Sequence, residues 1–143
     1  MSKPEAWRKN AAAYPFSDTT ATRYQDLDPH DHINNVAMAA LFENGRVRFN
    51  RTLVIYKRDD QRWLTAAVNI NYLEEAYFPA EITIASGIGE IGNRSWTVYS
   101  AAFQQGRCVA TCDTVIVISG PEHSRLIDAD LRTALEASKV ERI

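Results

Sequence analysis

The sequence of 143 residues predicts an α+β fold, one long helix against an antiparallel sheet of about five strands, and three observations carry that expectation. Apolar residues recur at three- and four-residue spacing through Met38, Leu41, Phe42, Gly45, Phe49 and Leu53, the period of a helix face. Four later segments alternate with a period of two. Short breaks rich in glycine or polar residues separate the last three, as hairpins require.

In chain order, residues 1–15 are polar and alanine-rich and read as a loosely attached arm with Trp7 as its one anchor. Phe16, Thr19, Thr20, Thr22 and Tyr24 favour an extended segment. The dense polar stretch from Gln25 to His32 cannot be core. The helix is expected from about Asn35 to the low fifties, with Asn34 or Asn35 capping its start. Gly45 within it costs about 1 kcal/mol relative to Ala, a cost that makes sense if the helix lies close against the sheet. In residues 64–72, Leu64, Ala66, Val68, Ile70 and Tyr72 fall on one face. Strands are expected at 81–86, 95–103 and 107–119, with turns at 87–93 and at Gln104-Gln105-Gly106. A short helix follows Pro121, from about Asp128 to Ser138. All 143 residues make a single domain, and one helix covers only part of such a sheet, so pairing with a second copy is the natural way to bury the rest.

With 16 Lys and Arg against 18 Asp and Glu, the net charge of −2 lacks the electrostatic footprint of a nucleic-acid binder. An anionic ligand therefore needs a local basic patch, and the best is Arg48, Arg51, Lys57, Arg58 and Arg62, with Arg94 as a further cation. No apolar run approaches a membrane span, and no signal segment opens the chain, so a cytoplasmic protein without a membrane partner is expected. Cys108 and Cys112 read as small buried hydrophobes on one face of a strand, about 13 Å apart at ~3.3 Å per residue and too far to bridge. Gly87-Ile88-Gly89-Glu90-Ile91-Gly92 matches a dinucleotide fingerprint, but the alternating Ser95-Trp96-Thr97-Val98-Tyr99 that follows is a strand where the fingerprint needs a helix. These glycines read instead as turn residues supplying positive φ.

The segment Asp26-Leu27-Asp28-Pro29-His30-Asp31-His32-Ile33-Asn34-Asn35 gathers carboxylates, imidazoles and amides immediately before the long helix. Three chemistries fit it. Asp26, Asp28, His30 and His32 recur every second residue and could ligate a metal from an extended strand, although Pro29 and the approaching helix oppose that geometry. A purely structural role has the Asp and Asn side chains satisfying turn amides and capping the helix. In the third, a carboxylate acts on an electrophile whose developing oxyanion is held at the helix N-terminus. On the helix, Glu43 reads as the partner of Arg46 or Arg23.

Arg23-Tyr24-Gln25-Asp26-Leu27-Asp28, then His32-Ile33-Asn34-Asn35, then Leu41-Phe42-Glu43 with Arg46, resemble the signature of hotdog-fold thioesterases of the 4-hydroxybenzoyl-CoA thioesterase type. The resemblance implies a hotdog fold, one long central helix wrapped by the sheet, working as a homodimer or homotetramer with its sites at subunit interfaces. It implies hydrolysis of an acyl-CoA or acyl-carrier-protein thioester, with Asp28 as nucleophile or general base and the N–H groups around Asn34 and Asn35 polarising the carbonyl. No cofactor beyond the CoA of the substrate is implied, and Arg58, Arg62 and Arg94 become candidates for its phosphates. Resemblance to plant acyl-carrier-protein thioesterases adds His30, His32 and Glu75 to the site. Two departures stand out: His30 takes the place of an Asn, and Asp31 that of a Gly. A hotdog hydratase or dehydratase, and a silent acyl-thioester-binding protein, are the competing functions.

Overall fold

The computed structural model describes residues 3–53, 61–121 and 125–143. Its elements are β1 (Phe16–Thr20), α1 (Asn35–Asn50), β2 (Arg62–Tyr72), β3 (Ile82–Ile91), β4 (Ser95–Gln104), β5 (Arg107–Ser119) and α2 (Ala129–Glu136), with short 3-10 turns at Ala6–Lys9, Ala11–Ala13 and Tyr24–Asp26. The strands form one five-stranded sheet in the order β1-β3-β4-β5-β2, and every pairing is antiparallel. The long helix lies on one face of this sheet, which is the hotdog architecture. Among the described residues no helix is long and apolar enough to cross a membrane.

The helix sits where its one glycine allows it to. A Cβ on Gly45 would fall 2.5 Å from Cγ2 of Ile84, so a side chain there has no room and α1 rests directly on β3. Around that contact Met38, Phe42, Ile82, Ile84, Ala102 and Cys112 form one core cluster, which carries the N-terminal half of α1. Phe49 at the other end joins Leu53, Ile88, Trp96, Ile116 and Ile118, and Leu131 and Leu135 of α2 close that cluster. The second helix, capped by the Asp128 side chain on the Leu131 N–H, thus extends the cover of the sheet beyond the end of α1.

The opposite face departs from the sequence expectation. The arm is not loose: Trp7, Arg8, Ala13 and Tyr14 are all buried, and they pack with Ala85, Ala101, Phe103 and Cys108 on the face away from α1. Arg8 pairs with Asp113 of β5 and lies 4.4 Å over the Tyr99 ring, while Trp7 meets the same ring edge-on at 5.5 Å. A composition argument sees only alanines and charges in this segment and cannot weigh so local a set of contacts. The C-terminal residues complete the layer, Ile88 pairing with Lys139 and the Glu141 N–H donating to the Ala13 carbonyl.

That layer explains the glycines of β3. They are strand residues and not a turn, because β3 runs on to Ile91, and the positive φ expected of them is absent; Gly106 is the glycine that has it. A Cβ on Gly87 would strike Val140 and Pro15, so that glycine makes room for the arm and the tail, and one on Gly89 would strike the Tyr99 ring of β4, against which Trp7 and Arg8 pack.

Two bulges alter expected faces. Register shifts in β2 between Thr65 and Ala67, so Val68, Ile70 and Tyr72 face α1 together with Trp63 and Thr65, while Leu64 points to the other side. The single apolar face expected from alternation is therefore split. A similar shift where β4 meets the start of β5 sends Cys108 to the outer cluster and Cys112 to the inner one, on opposite faces and not on one. Both thiols are free and buried, and burial raises both pKa values. At the sheet edge, β2 leaves Leu64, Val68 and Tyr72 roughly half exposed.

Gly45→Ala is expected to lower stability by a net amount of up to about 2 kcal/mol, overpacking against Ile84 costing about 1–3 kcal/mol and helix propensity returning ~1 kcal/mol. Urea denaturation checks this; a variant more stable than the parent would show that α1 can lift from β3 at little cost.

Candidate active site

The polar stretch before α1 folds as two nested loops. Leu27 and Ile33 form an antiparallel bridge, and inside it the chain reverses through Asp28-Pro29-His30-Asp31, with the Asp31 N–H on the Asp28 carbonyl at 3.0 Å. Asp31 has φ of 63°, a left-handed conformation. The resemblance placed a Gly at this position, and the backbone gives the reason, since Gly adopts that conformation freely and Asp is among the side chains that tolerate it.

Each polar side chain of the stretch has a distinct task. Asp26 is held by Arg23 through both carboxylate oxygens, at 3.0 Å from Nε and 2.8 Å from a terminal nitrogen, and its carbonyl takes the Asn34 N–H and the Asn34 amide. Asn34 caps α1, its Oδ1 accepting the Ala37 N–H at 2.7 Å. These bonds consume the Asn34 and Ala37 donors. Among the described residues the Asn35 and Val36 N–H groups take no acceptor, and both residues line a cavity of about 560 Å³ together with Asp28 and Asn34. Asn35 and Val36 thus bring unpaired N–H groups to the cavity and Asn34 caps the helix, and Val36 is a residue that side-chain chemistry could not flag because only its backbone is offered.

Asp28 lines the same cavity. Its Oδ1 accepts the His30 N–H at 2.8 Å and the His32 N–H at 3.1 Å. The His32 amide, with that of His30 assisting, holds the Asp28 carboxyl below its ordinary pKa. Oδ2 takes no bond from the described residues. Asp28 is thus a fixed carboxylate that stays ionised, with one oxygen anchored and one available.

The remaining expected residues divide. His32 Nε2 lies 3.1 Å from Oε2 of Glu75, so these two are brought together. His30 contributes its backbone amide to Asp28, while its ring stacks loosely on that of His32 at 6.3 Å. Glu75 opens on a second cavity of about 240 Å³, on the β2 side of the helix start, which shares Asn35 with the first. Glu43 stands 4.0 Å from the buried Arg46, whose guanidinium donates to Thr114 Oγ1, in keeping with the expected helical pair. Among the described residues no group of three or more His, Cys, Asp and Glu side chains is gathered for a metal ion.

Arg62 and Arg94 do not join Asp28 within one chain. Arg62 begins β2 and donates to the Pro121 carbonyl, whereas Tyr72, which ends that strand, donates its hydroxyl to the Asn35 carbonyl at the helix start. Ten residues of strand, about 33 Å, lie between them. Arg94 immediately precedes β4, whose far end, Gln104, is the one near the site. Arg58 lies outside the described residues.

A carboxylate anchored by turn amides and unpaired N–H groups at a helix start thus line one cavity of a hotdog fold. The chain belongs to the thioesterase-like superfamily, whose model matches residues 22–131 and so spans the polar loop, α1, β2 to β5 and the start of α2. A predicted thioesterase from Bacillus stearothermophilus is similar in structure, with 25% identity, a TM-score of 0.79 and coverage of 88% of this chain and 97% of that one. A Pseudomonas aeruginosa protein is 27% identical, with a TM-score of 0.73 and coverage of 90% and 94%. The fold is also shared by a thioesterase from Thermus thermophilus in complex with coenzyme A and Zn, at 19% identity, a TM-score of 0.80 and coverage of 89% and 96%. No curated protein matches the chain in sequence.

Asp31→Gly is expected to leave stability unchanged or raise it by up to about 1 kcal/mol, and Asp31→Val to lower it by more than about 1 kcal/mol, because a β-branched residue is strained at positive φ. Thermal melts of the two variants beside the parent test this, and equal melting points would contradict it.

Proposed function

We propose that the protein hydrolyses an acyl-CoA thioester to a carboxylic acid and free thiol. The observation that carries this reading is the pairing, across one cavity, of the anchored Asp28 carboxylate with the unpaired Asn35 and Val36 N–H groups. Asp28 Oδ2 attacks the thioester carbonyl carbon, or takes the proton of a water that does. Negative charge then develops on the carbonyl oxygen, where two backbone donors and the helix dipole favour it. Collapse breaks the C–S bond and the thiolate departs with the electron pair; in the first route a water then hydrolyses the Asp28 acyl anhydride to the carboxylic acid and frees Asp28, and in the second the proton taken by Asp28 passes to the thiolate. Because a thiolate is a good leaving group, one carboxylate and one helix end suffice, and no cofactor beyond the CoA of the substrate takes part.

The working unit in this reading is a homodimer paired along β2. Its outer edge is free of partner strands in the sheet order, and its half-exposed Leu64, Val68 and Tyr72 supply apolar contact area. Antiparallel self-pairing sets the beginning of one strand beside the end of the other. It therefore carries the partner's Arg62 toward Tyr72 and the start of α1, where a cation could meet a CoA phosphate that no arginine at this chain's far end can reach.

Asp28→Asn is expected to lower kcat by about 10³ or more across an acyl-CoA panel, read as free thiol with a disulfide reagent. An undiminished rate would overturn the mechanism, and turnover without free thiol would point to a hydratase. The pH dependence has a defined sign. The His32 and His30 amides favour the ionised form, so the folded pKa lies below the unfolded one; the stabilisation is present above the unfolded value and lost as pH falls through the folded value. The acid limb of kcat/KM set by Asp28 should accordingly fall below the ordinary carboxylate range, and a limb above that range would show that another group controls the rate.

A further inference from the structure

The loop that carries Asp28 is stitched to a second segment, residues 76–80, by several contacts from different residues. The Ile33 N–H donates to the Ala76 carbonyl at 2.8 Å, and Thr22 Oγ1 donates to the Ala80 carbonyl at 3.0 Å. Tyr24 meets Phe78 edge-on at 6.0 Å. The His32 ring meets Tyr77 edge-on at 5.3 Å, and the Tyr77 hydroxyl donates at 3.0 Å to Glu75 Oε2, the same oxygen that lies against His32 Nε2. Histidine and carboxylate are thus both seated on one tyrosine.

What seats the tyrosine is a buried amide. Gln104, at the end of β4, is 1% exposed. Its Oε1 accepts the Tyr77 N–H at 2.8 Å, and its Nε2 donates to the Tyr77 carbonyl at 2.7 Å and to the Ala80 carbonyl at 3.0 Å. The side chain pairs with the Tyr77 backbone in both directions, as a neighbouring strand would, and both amide protons are used. By contrast, the His32–Glu75 contact is partly solvated, with Glu75 more than half exposed, and an ion pair in such a setting holds little by itself.

We infer that Tyr77, seated by Gln104, is a positioning residue for the site: it fixes Glu75 and the His32 ring, and through His32 it holds the turn whose amides anchor Asp28. The inference rests on the reading of Asp28 given above, and its route is a continuous set of contacts, from Gln104 to Tyr77, to Glu75 and His32, and from the His32 N–H to Asp28 Oδ1. The groups facing the His32 ring along this route are Glu75, Tyr77 and His30.

Tyr77→Phe keeps the ring against His32 and the backbone bonds to Gln104 while deleting the hydroxyl. Loss of one such hydrogen bond is expected to lower kcat about five- to tenfold with KM within about twofold. The full chain labelled with 15N-histidine gives a readout independent of turnover. In the parent, the His32 ring nitrogen signals report the Glu75 contact, with through-space contact to the Tyr77 ring expected, and in Tyr77→Phe the His32 signal should shift or broaden. Gln104→Leu should lower kcat and the melting temperature together; because partial unfolding would do the same, Tyr77→Phe decides. A Tyr77→Phe protein with parental kcat and an unmoved His32 signal overturns the inference. If Asp28→Asn turns over at the parental rate, the catalytic reading fails, whereas the His32 signal still reports on whether Tyr77 seats the pair.

Discussion

The contact between Gly45 and Ile84 decides where everything else in the site can be. With no side chain between α1 and β3, the helix is pinned at its middle, and its length fixes how far its first residues project. Phe42 and Phe49, on either side of the glycine, then bury against separate clusters and prevent rotation about the helix axis. The unpaired N–H groups of Asn35 and Val36 inherit their direction from this arrangement. Rigid elements hold a reactive constellation more closely than loops do, and here the one loop that matters is tied to the helix by its own cap.

That tie has an economy visible in Asp26 and Asn34. The Asp26 side chain is paired with Arg23, while its carbonyl collects both the backbone and side-chain donors of Asn34. Asn34 in turn removes the Ala37 donor from the cavity. Within these ten residues Asp26, Asn34 and one Asp28 oxygen are used up holding the loop and the helix start, and the groups left beside the cavity include the other Asp28 oxygen and the Asn35 amide, with that of Val36 next to it. A site of low chemical complexity results from a locally complex sequence.

How much of this the sequence discloses follows the range of the interactions involved. The helix, its cap among the two asparagines, β5 to the residue and the role of Gly45 follow from periodicity and propensity, which act over a few neighbours. The D-x-D segment stands out by composition. What escapes are features set by distant partners. One inserted residue in β2 reverses which side Leu64 faces, and another sends Cys108 and Cys112 apart, because strand parity counts every residue and a bulge adds one without a local mark. Trp7 and Arg8 become buried through Tyr99 and Asp113, about a hundred residues away in sequence. Val36 and Gln104 carry no chemical label at all; the first acts through its backbone and the second by imitating one.

The irregularity in β2 has a further consequence for the molecule among others. A strand of eleven residues whose outer edge has no partner among the described residues is a template on which foreign strands and partly folded chains can assemble. Because this one changes face midway, a regular strand laid along it loses register and meets apolar side chains on the wrong side for half its length. The most compatible neighbour is a strand with the same interruption at the same place. In the homodimer proposed above, the extra residue works as a password on the open edge, admitting its own kind and discouraging aggregation.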